Sequence, residues 1–164
     1  MPFTPFHFGP GAAFKAAIPR YFSFTVFCFA QVVTDCETAY YMFRGEYPLH
    51  RWLHTYVGAT AVAVFCILAG RPICQFFLQL WKSHSVQSTS TKPRISFAAT
   101  SIAAFVGTYT HVLLDNIMHS DVKPLRPFSE ANALYGTIAW IPLHLLCIGL
   151  GVVGFAWMVA RADK

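Results

Sequence analysis

The stretch that decides the fold runs from residue 96 to residue 119 and reads SFAATSIAAFVGTYTHVLLDNIMH. Its first two thirds carry no charge, and as a helix rising about 1.5 Å per residue the segment covers about 36 Å. Because the hydrocarbon core of a bilayer is about 30 Å thick, this length predicts a membrane-spanning helix. His111, Asp115 and His119 close the segment at intervals of four residues, so they share one helical face.

Apolar segments of similar character lie on both sides of this one. Residues 21–43 and 52–70 precede it, the second continuing as an interfacial stretch to Trp81, and residues 133–161 follow it, interrupted by Pro142. Residues 7–18 form a shorter helix of about 18 Å, too short to span. The chain is therefore predicted to be an all-α integral membrane protein with four spanning helices plus a short N-terminal half-span or re-entrant helix. Residues 1–164 form a single membrane-embedded domain, with residues 82–94 as a polar loop.

Composition supports a membrane environment. Of the 164 residues, 55% are hydrophobic, 16% are aromatic and only 12% are charged, which is far more apolar than a soluble domain of this size needs. The net charge of +5 is spread between apolar segments and forms no basic stripe, so nucleic acid is not an expected partner. The lipid bilayer is the expected partner, and the sequence leaves the oligomeric state open.

The distribution of basic residues predicts the orientation. If the first helix dips in and returns, eight of the 12 Lys and Arg residues fall on one face and four on the other. The positive-inside rule makes the first face cytoplasmic, together with the loop 82–94, and predicts that the other face points to the periplasm of a bacterial inner membrane. The first set is Lys15, Arg20, Arg71, Lys82, Lys92, Arg94, Arg161 and Lys164, and the second is Arg44, Arg51, Lys123 and Arg126.

Seven ionisable side chains are expected at the level of this second, outer face. Ionisable groups inside membrane segments are costly, so each is a hypothesis of function, and their convergence from four elements strengthens it. His50 and His54 open the third segment four residues apart, so they are expected to share one face of its helix. Imidazole with carboxylate suits zinc, or manganese or iron. A divalent metal ion, with zinc favoured, is the predicted cofactor. The candidate ligands are His7, Asp35, His50, His54, His111, Asp115 and His119.

Two points about these ligands stay open in the sequence. His111 and His119 are about 12 Å apart along a helix, so one ion should not bind both. Either His119 supports a ligand without binding the ion, or there are two ions. Asp35 is alternatively a helix cap or an ion-pair partner of Arg44 or Arg51.

Other polar residues have weaker claims. His144 is placed about 16 Å into the last segment beside the Pro142 kink, where it is a ligand, a partner of a ligand or a packing residue, and packing is favoured. Cys36, next to Asp35, is a weak candidate for a thiolate ligand. His84 belongs to the polar loop and is expected in solvent.

Several blocks in this order resemble the YdjM-like family of bacterial inner-membrane proteins, which are described as metal-dependent hydrolases. The resemblance extends from the N-terminus to about Ser129, and it implies that six of the candidate ligands, all except His119, match polar positions of the family motifs. Residues 34–37 depart from the family, which often has a Pro-Asp pair and further acids there. The blocks are Phe3-Thr4-Pro5-Phe6-His7-Phe8-Gly9-Pro10, the helix end with Asp35, His50-Arg51-Trp52-Leu53-His54-Thr55, His111-Val112-Leu113-Leu114-Asp115 and Pro124-Leu125-Arg126-Pro127-Phe128.

The predicted function is metal-assisted hydrolysis, in which a bound ion activates a water molecule. Glu37, Asp121 and Asp35 are the candidate bases, while Arg51 and Arg126 are positioned to hold a phosphate. A lipid or lipid-linked phosphoester is the expected substrate class because the site is at the membrane surface. The alternatives, in order, are a scaffold whose helices are joined by metal without catalysis and a metal or proton transporter. A transporter requires polar residues through to the other face, and residues 59–68 and 98–106 are largely apolar.

Overall fold

A computed structural model describes residues 5–84 and 94–162, and all regular secondary structure in these ranges is helical. The prediction of an all-α protein is therefore confirmed for this part of the chain. A 3₁₀ turn, Pro5–His7, leads directly into α1. The helices are α1 (Phe8–Ala17), α2 (Phe24–Arg44), α3 (Tyr56–Phe65), α4 (Arg71–His84), α5 (Phe97–Met118) and α6 (Trp140–Ala162), with a π-helical turn, Cys66–Gly70, joining α3 to α4.

Three of the described helical segments are long and apolar enough to cross a membrane. They are Tyr56–Trp81, which is continuous through the π-helical turn, Phe97–Met118 and Trp140–Arg161. Many of their large apolar side chains are exposed, as lipid-facing side chains are. Helix α2 is long enough to cross, but Gln31, Asp35 and Glu37 make its second half polar, and it is not one of the three.

Helices α2, α3 and α5 form the centre of the molecule. Ser23 N donates to Ala99 O near the start of α2 and α5, and Gln31 Nε2 donates to Gly107 O further along, so these two helices are parallel. Helix α3 runs antiparallel to both. Thr60, near its start, hydrogen-bonds the Tyr109 hydroxyl in the second half of α5. Arg71, beyond its end, donates to Ile95 O, just before α5 begins. The buried core between them is rich in small residues, which let helix backbones approach closely.

Helices α1 and α6 are parallel and in close contact. A Cβ atom on Gly9 would lie 1.9 Å from Cys147 O, and one on Gly154 would lie 2.6 Å from the α1 backbone. Further along, Arg161 donates to Ala16 O, so the C-terminal ends of the two helices also meet. Because α1 has only 10 residues, it covers about 15 Å and reaches part-way along its partner.

The start of the last helix differs from the sequence prediction. Helix α6 begins at Trp140 and not at Ala133, because residues 133–139 are held in turns such as Gly136 N to Ile117 O. Pro142 therefore lies in the first turn of α6, where its missing N–H costs no helical hydrogen bond. The predicted interruption by Pro142 is wrong, and His144 lies near the beginning of the helix.

The arrangement of helices separates the two ends of the molecule. One end of the molecule contains the C-terminus of α1, the N-termini of α2 and α5, Arg71 and Arg161. Lys15 Nζ donates to Phe22 O at this end. At the opposite end, the loops 45–55 and 119–139 meet where Tyr56 N donates to Pro124 O. The candidate ligands lie at this second end, beneath the two loops.

Candidate metal centre

Four buried side chains from three parts of the fold form the centre of the site. Asp35 comes from α2, His111 and Asp115 come from α5, and His54 comes from the loop before α3. None of the four is more than 6% exposed. One ligand atom from each lies within 4.8 Å of the others, which is the arrangement of residues that can hold a divalent metal ion.

The distances between these atoms suit ligands of one ion better than direct hydrogen bonds. His111 Nε2 is 3.3 Å from Asp35 Oδ1 and 3.2 Å from Asp115 Oδ2, while His54 Nε2 is 3.8 Å and 3.3 Å from the same two oxygens. Hydrogen bonds between a charged ring and a carboxylate are shorter, at about 2.7–2.9 Å. Ligands bound at about 2.0–2.1 Å in a tetrahedral arrangement lie about 3.4 Å from one another.

A second group shares Asp115 with the first. His50, Asp115 and His119 also offer ligand atoms within 4.8 Å of one another. His119 Nε2 is 3.8 Å from Asp115 Oδ1, and His50 Nε2 is 3.9 Å from Asp115 Oδ2. The structure thus places His111 and His119 in different groups, in agreement with their separation along α5.

His50 and His54 reach the site from a loop and not from a helix. The prediction that they share a face of the third helix is wrong, since α3 begins only at Tyr56. The Glu37 carboxylate accepts the backbone N–H groups of residues 51, 52 and 53, and Thr55 caps α3 by accepting from Gly58 N. These bonds hold the loop in a turn that aims both rings at Asp115.

Hydrogen bonds at the far nitrogens determine which nitrogen each ring presents. His111 Nδ1 donates to Gln31 Oε1, and His50 Nδ1 donates to Asp121 Oδ1 at 2.9 Å. In the neutral form of each ring, this bond leaves Nε2, the nitrogen that faces the carboxylates, as the one that can bind a metal ion. Such outer partners orient metal-binding histidines and raise their basicity.

Glu37 and Asp121, the candidate bases, are both engaged with the ligand loop. Besides its three backbone donors, Glu37 Oε2 lies 3.6 Å from His54 Nδ1. Asp121 Oδ2 accepts the backbone N–H groups of Leu49 and His50. Burial alone raises the pKa of a carboxyl, but the hydrogen bonds from His50 outweigh it and hold the pKa of Asp121 below its usual range. These contacts favour a positioning role for both acids.

His7 lies beside both groups. It is 3% exposed, its Nε2 is 3.5 Å from Asp115 Oδ1, and its ring meets that of His111 edge-on. Burial lowers the pKa of His7 to about 4, so the ring is neutral at physiological pH. A neutral imidazole is the form that binds metal.

Several buried nitrogens at the centre have no hydrogen-bond partner among the described residues. They are both nitrogens of His7, Nδ1 of His54 and Nε2 of His111. An unpaired buried polar atom costs about 1–3 kcal/mol, so native proteins avoid it. Three of these atoms lie beside carboxylate oxygens: the Nε2 atoms of His7 and His111 face Asp115, and Nδ1 of His54 faces Glu37. The donor set therefore fits a divalent cation.

The two arginines of the predicted site have other partners. The Arg51 guanidinium lies 3.5 Å from the centre of the Tyr41 ring and donates to Glu46, while Arg126 forms a two-pronged pair with Glu130. Both are in the loops 45–55 and 119–139, which cover the ligands. Asp35 faces His54 and His111, so pairing with Arg44 or Arg51 is not its role in the structure.

The weaker candidates lie apart from the ligands. Cys36 is exposed, with its Sγ donating to Val32 O, and it belongs to neither ligand group. His144 packs against Phe6 with ring centroids 4.4 Å apart, and its Nδ1 bonds to Trp140 O. Packing was the favoured role for His144. The side chain of His84 is outside the described residues.

Sequence reasoning overlooked Gln31. It accepts from His111 and donates to Gly107 O, so it joins the ligand helix α5 to α2. The signal was present, because Gln31 lies four residues before Asp35 and shares its helical face. Thr38, whose Oγ1 is 3.4 Å from His54 Nε2, continues the same face and was also overlooked.

The comparisons with known proteins provide no further guide to this site. No protein-family model, no characterised protein and no solved structure matches the chain. The geometry alone therefore supports a buried His/Asp metal site in a helical membrane protein.

Proposed function

We propose that this chain is a membrane metallohydrolase that cleaves a phosphoester of a lipid or lipid-linked substrate. The observation that carries the proposal is the buried group Asp35, His54, His111 and Asp115, whose facing atoms are 3.2–3.8 Å apart. Zinc is favoured because two nitrogens and two oxygens at this spacing are ligands that it accepts, and its coordination can expand to five so that a water molecule also binds. Manganese and iron accept the same donors but prefer further ligands.

When bound in this group, a divalent ion would supply an activated water molecule and polarise the scissile bond. The residues of the chain then have distinct tasks. Gln31 and Asp121 fix the tautomers of His111 and His50, and Glu37 holds the loop that carries His54. Asp35 presents Oδ1 to both histidines, so its Oδ2 is the oxygen that we expect to take a proton from the attacking water.

The surroundings of the site favour an amphipathic substrate. Exposed aromatic side chains lie in and beside the covering loops, as in the aromatic belts found where membranes meet water. A substrate with its tail in the bilayer would present its head group at this level. Arg51 and Arg126 can bind a phosphate there if they exchange their present glutamate partners. The aromatic residues are Phe43, Tyr47, Trp52, Phe128, Tyr135 and Trp140.

We further propose that α2 is the fourth spanning helix, since it is parallel to α5 along its length. The end opposite the site carries Arg71, Arg161 and Lys15, which favours a cytoplasmic location for that end under the positive-inside rule. The site then points to the periplasm of a bacterial inner membrane. The resemblance to the YdjM-like family supports both the location and the reaction class.

A scaffold without catalysis is the second candidate. Its supporting observation is that the ligands come from α2, a loop and α5, so an ion would join elements that are distant in sequence. A transporter is disfavoured because the core below the ligands is apolar and includes Val26, Phe27 and Ala30. In the described part of the chain, no buried Asp, Glu, Lys, Arg or His lies between the ligands and the other end, as an ion path would require.

The experiment is hydrolysis of lipid phosphomonoesters and diphosphates by the purified protein in lipid nanodiscs. Activity should vanish on chelation, return with zinc or manganese, and be lost in Asp35→Asn, which keeps the shape of the side chain. Thr100→Val is the matched control, because this buried hydroxyl is at the other end of α5 and, among the described residues, bonds to Ser96 O alone. Folded, metal-loaded protein that hydrolyses none of these lipids would favour the scaffold.

A further inference from the structure

Asp115 presents its two oxygens to different sets of histidines. Oδ2 is 3.3 Å from His54 Nε2 and 3.2 Å from His111 Nε2. Oδ1 is 3.5 Å from His7 Nε2 and 3.8 Å from His119 Nε2. A carboxylate with ring nitrogens beside each oxygen is arranged to bridge two cations, as in two-metal sites whose ions are about 3.5–4 Å apart.

We infer that the site holds two divalent ions bridged by Asp115, the second bound by His50, His119 and His7. This inference rests on the proposed function, because the first ion is the one held by Asp35, His54, His111 and Asp115. His50, Asp115 and His119 already have ligand atoms within 4.8 Å of one another. His50 lies between the sets, with its Nε2 3.9 Å from Oδ2, and its ring stacks on His119 at 4.4 Å.

His7 supplies the independent observation that points to a second ion. It is 3% exposed and neither of its nitrogens has a hydrogen-bond partner in the described part of the chain. Its Nε2 faces the oxygen of Asp115 that the first ion does not use. A second ion on that side would satisfy His7 and explain why a buried ring with no partner is held there.

The two ions differ in their access to solvent. The side chain of His119 is 23% exposed, whereas those of His54 and His111 are fully buried. The second ion is therefore the outer one, next to the covering loops, and it should exchange faster than the inner ion. Because the outer ion would be nearer to solvent, we expect it to be the one that would bind a substrate phosphate, while the inner ion would activate water.

The test is a count of bound zinc. Metal-free protein in detergent is dialysed against excess zinc, freed of unbound ion by gel filtration and analysed for metal per chain. We expect about two ions in the wild type, about one in His119→Ala and none in Asp115→Ala. His119→Ala is the decisive variant because this side chain is partly exposed, so its truncation should leave the fold intact.

His144→Ala is the matched control. It also removes a histidine close to the site, but His144 packs on Phe6 and belongs to neither ligand group, so the count should stay at about two. One ion in both the wild type and His119→Ala would overturn the second site and leave the proposed function standing. Two ions in both would also overturn it, because the second ion would then lie elsewhere. No bound zinc in folded wild type would remove both proposals.

Discussion

Replacing Gln31 by methionine tests whether the hydrogen bond behind His111 controls metal affinity. The substitution keeps the side-chain length but removes the acceptor for His111 Nδ1 and the donor to Gly107 O. Gly107 lies inside α5, where its carbonyl also accepts a helical backbone N–H, so the main loss is the fixed orientation of the His111 ring. Loss of such a partner lowers metal affinity about 10- to 100-fold, which is about 1.4–2.8 kcal/mol.

The assay is competition between the protein and a chelator of known affinity, in detergent, for wild type, Gln31→Met and Thr100→Val. Thr100 is buried in the same helix as His111 but about 16 Å away along it, so its replacement should cost stability without changing affinity. The role assigned to Gln31 is refuted if the metal affinity of folded Gln31→Met is within about threefold of that of the wild type. A change of that size is well below the effect expected for loss of such a partner.

Three further perturbations test the structure around the site. Gly9→Val should separate α1 from α6, lower stability by about 1–3 kcal/mol or more and weaken binding of the second ion. Gly149→Val, with open space around its Cβ, should have none of these effects. Thermal unfolding measures the stability, and metal analysis measures the bound ions. Asp121→Asn weakens the group that accepts hydrogen bonds from His50 Nδ1 and from two backbone N–H groups, so metal affinity measured by chelator competition should fall about 10- to 100-fold. An unchanged affinity would count against the positioning role of Asp121. The pKa of His7 is lowered from 6.5 to about 4, so between these pH values the unfolded chain binds a proton that the folded chain does not, and stability falls as pH falls. Denaturation of metal-free protein should show a loss of stability up to about 3 kcal/mol larger in wild type than in His7→Gln. Equal pH profiles of the two proteins would contradict this prediction.

The helices were predictable from the sequence because length and hydropathy are local properties. The segment 96–119 contains the observed α5 almost residue for residue, and its i, i+4 spacing correctly put His111 and Asp115 on one face. The start of α6 was not predictable in the same way. Residues 133–139 are apolar enough to extend the helix, but tertiary hydrogen bonds such as Gly136 N to Ile117 O hold them in turns.

The candidate site was predictable in composition but not in detail. Costly ionisable groups at one level of a membrane protein indicated which residues to consider, and the structure brings them together. The positions of His50 and His54 depend on Glu37, which binds three backbone N–H groups across 14 to 16 residues, a contact that helical periodicity does not predict. The division of ligands into two groups depends on which oxygen of Asp115 each ring faces, and only three-dimensional geometry reveals that.

The most direct test of a metal centre at these residues is the metal content of the protein purified in detergent without added metal. Wild type and Thr100→Val should each carry about one or two divalent ions per chain, and His111→Ala, which removes a ring that faces both Asp35 and Asp115, should lose the ion held by that group. Folded wild type without metal above background, or His111→Ala with the same content as wild type, would contradict the assignment.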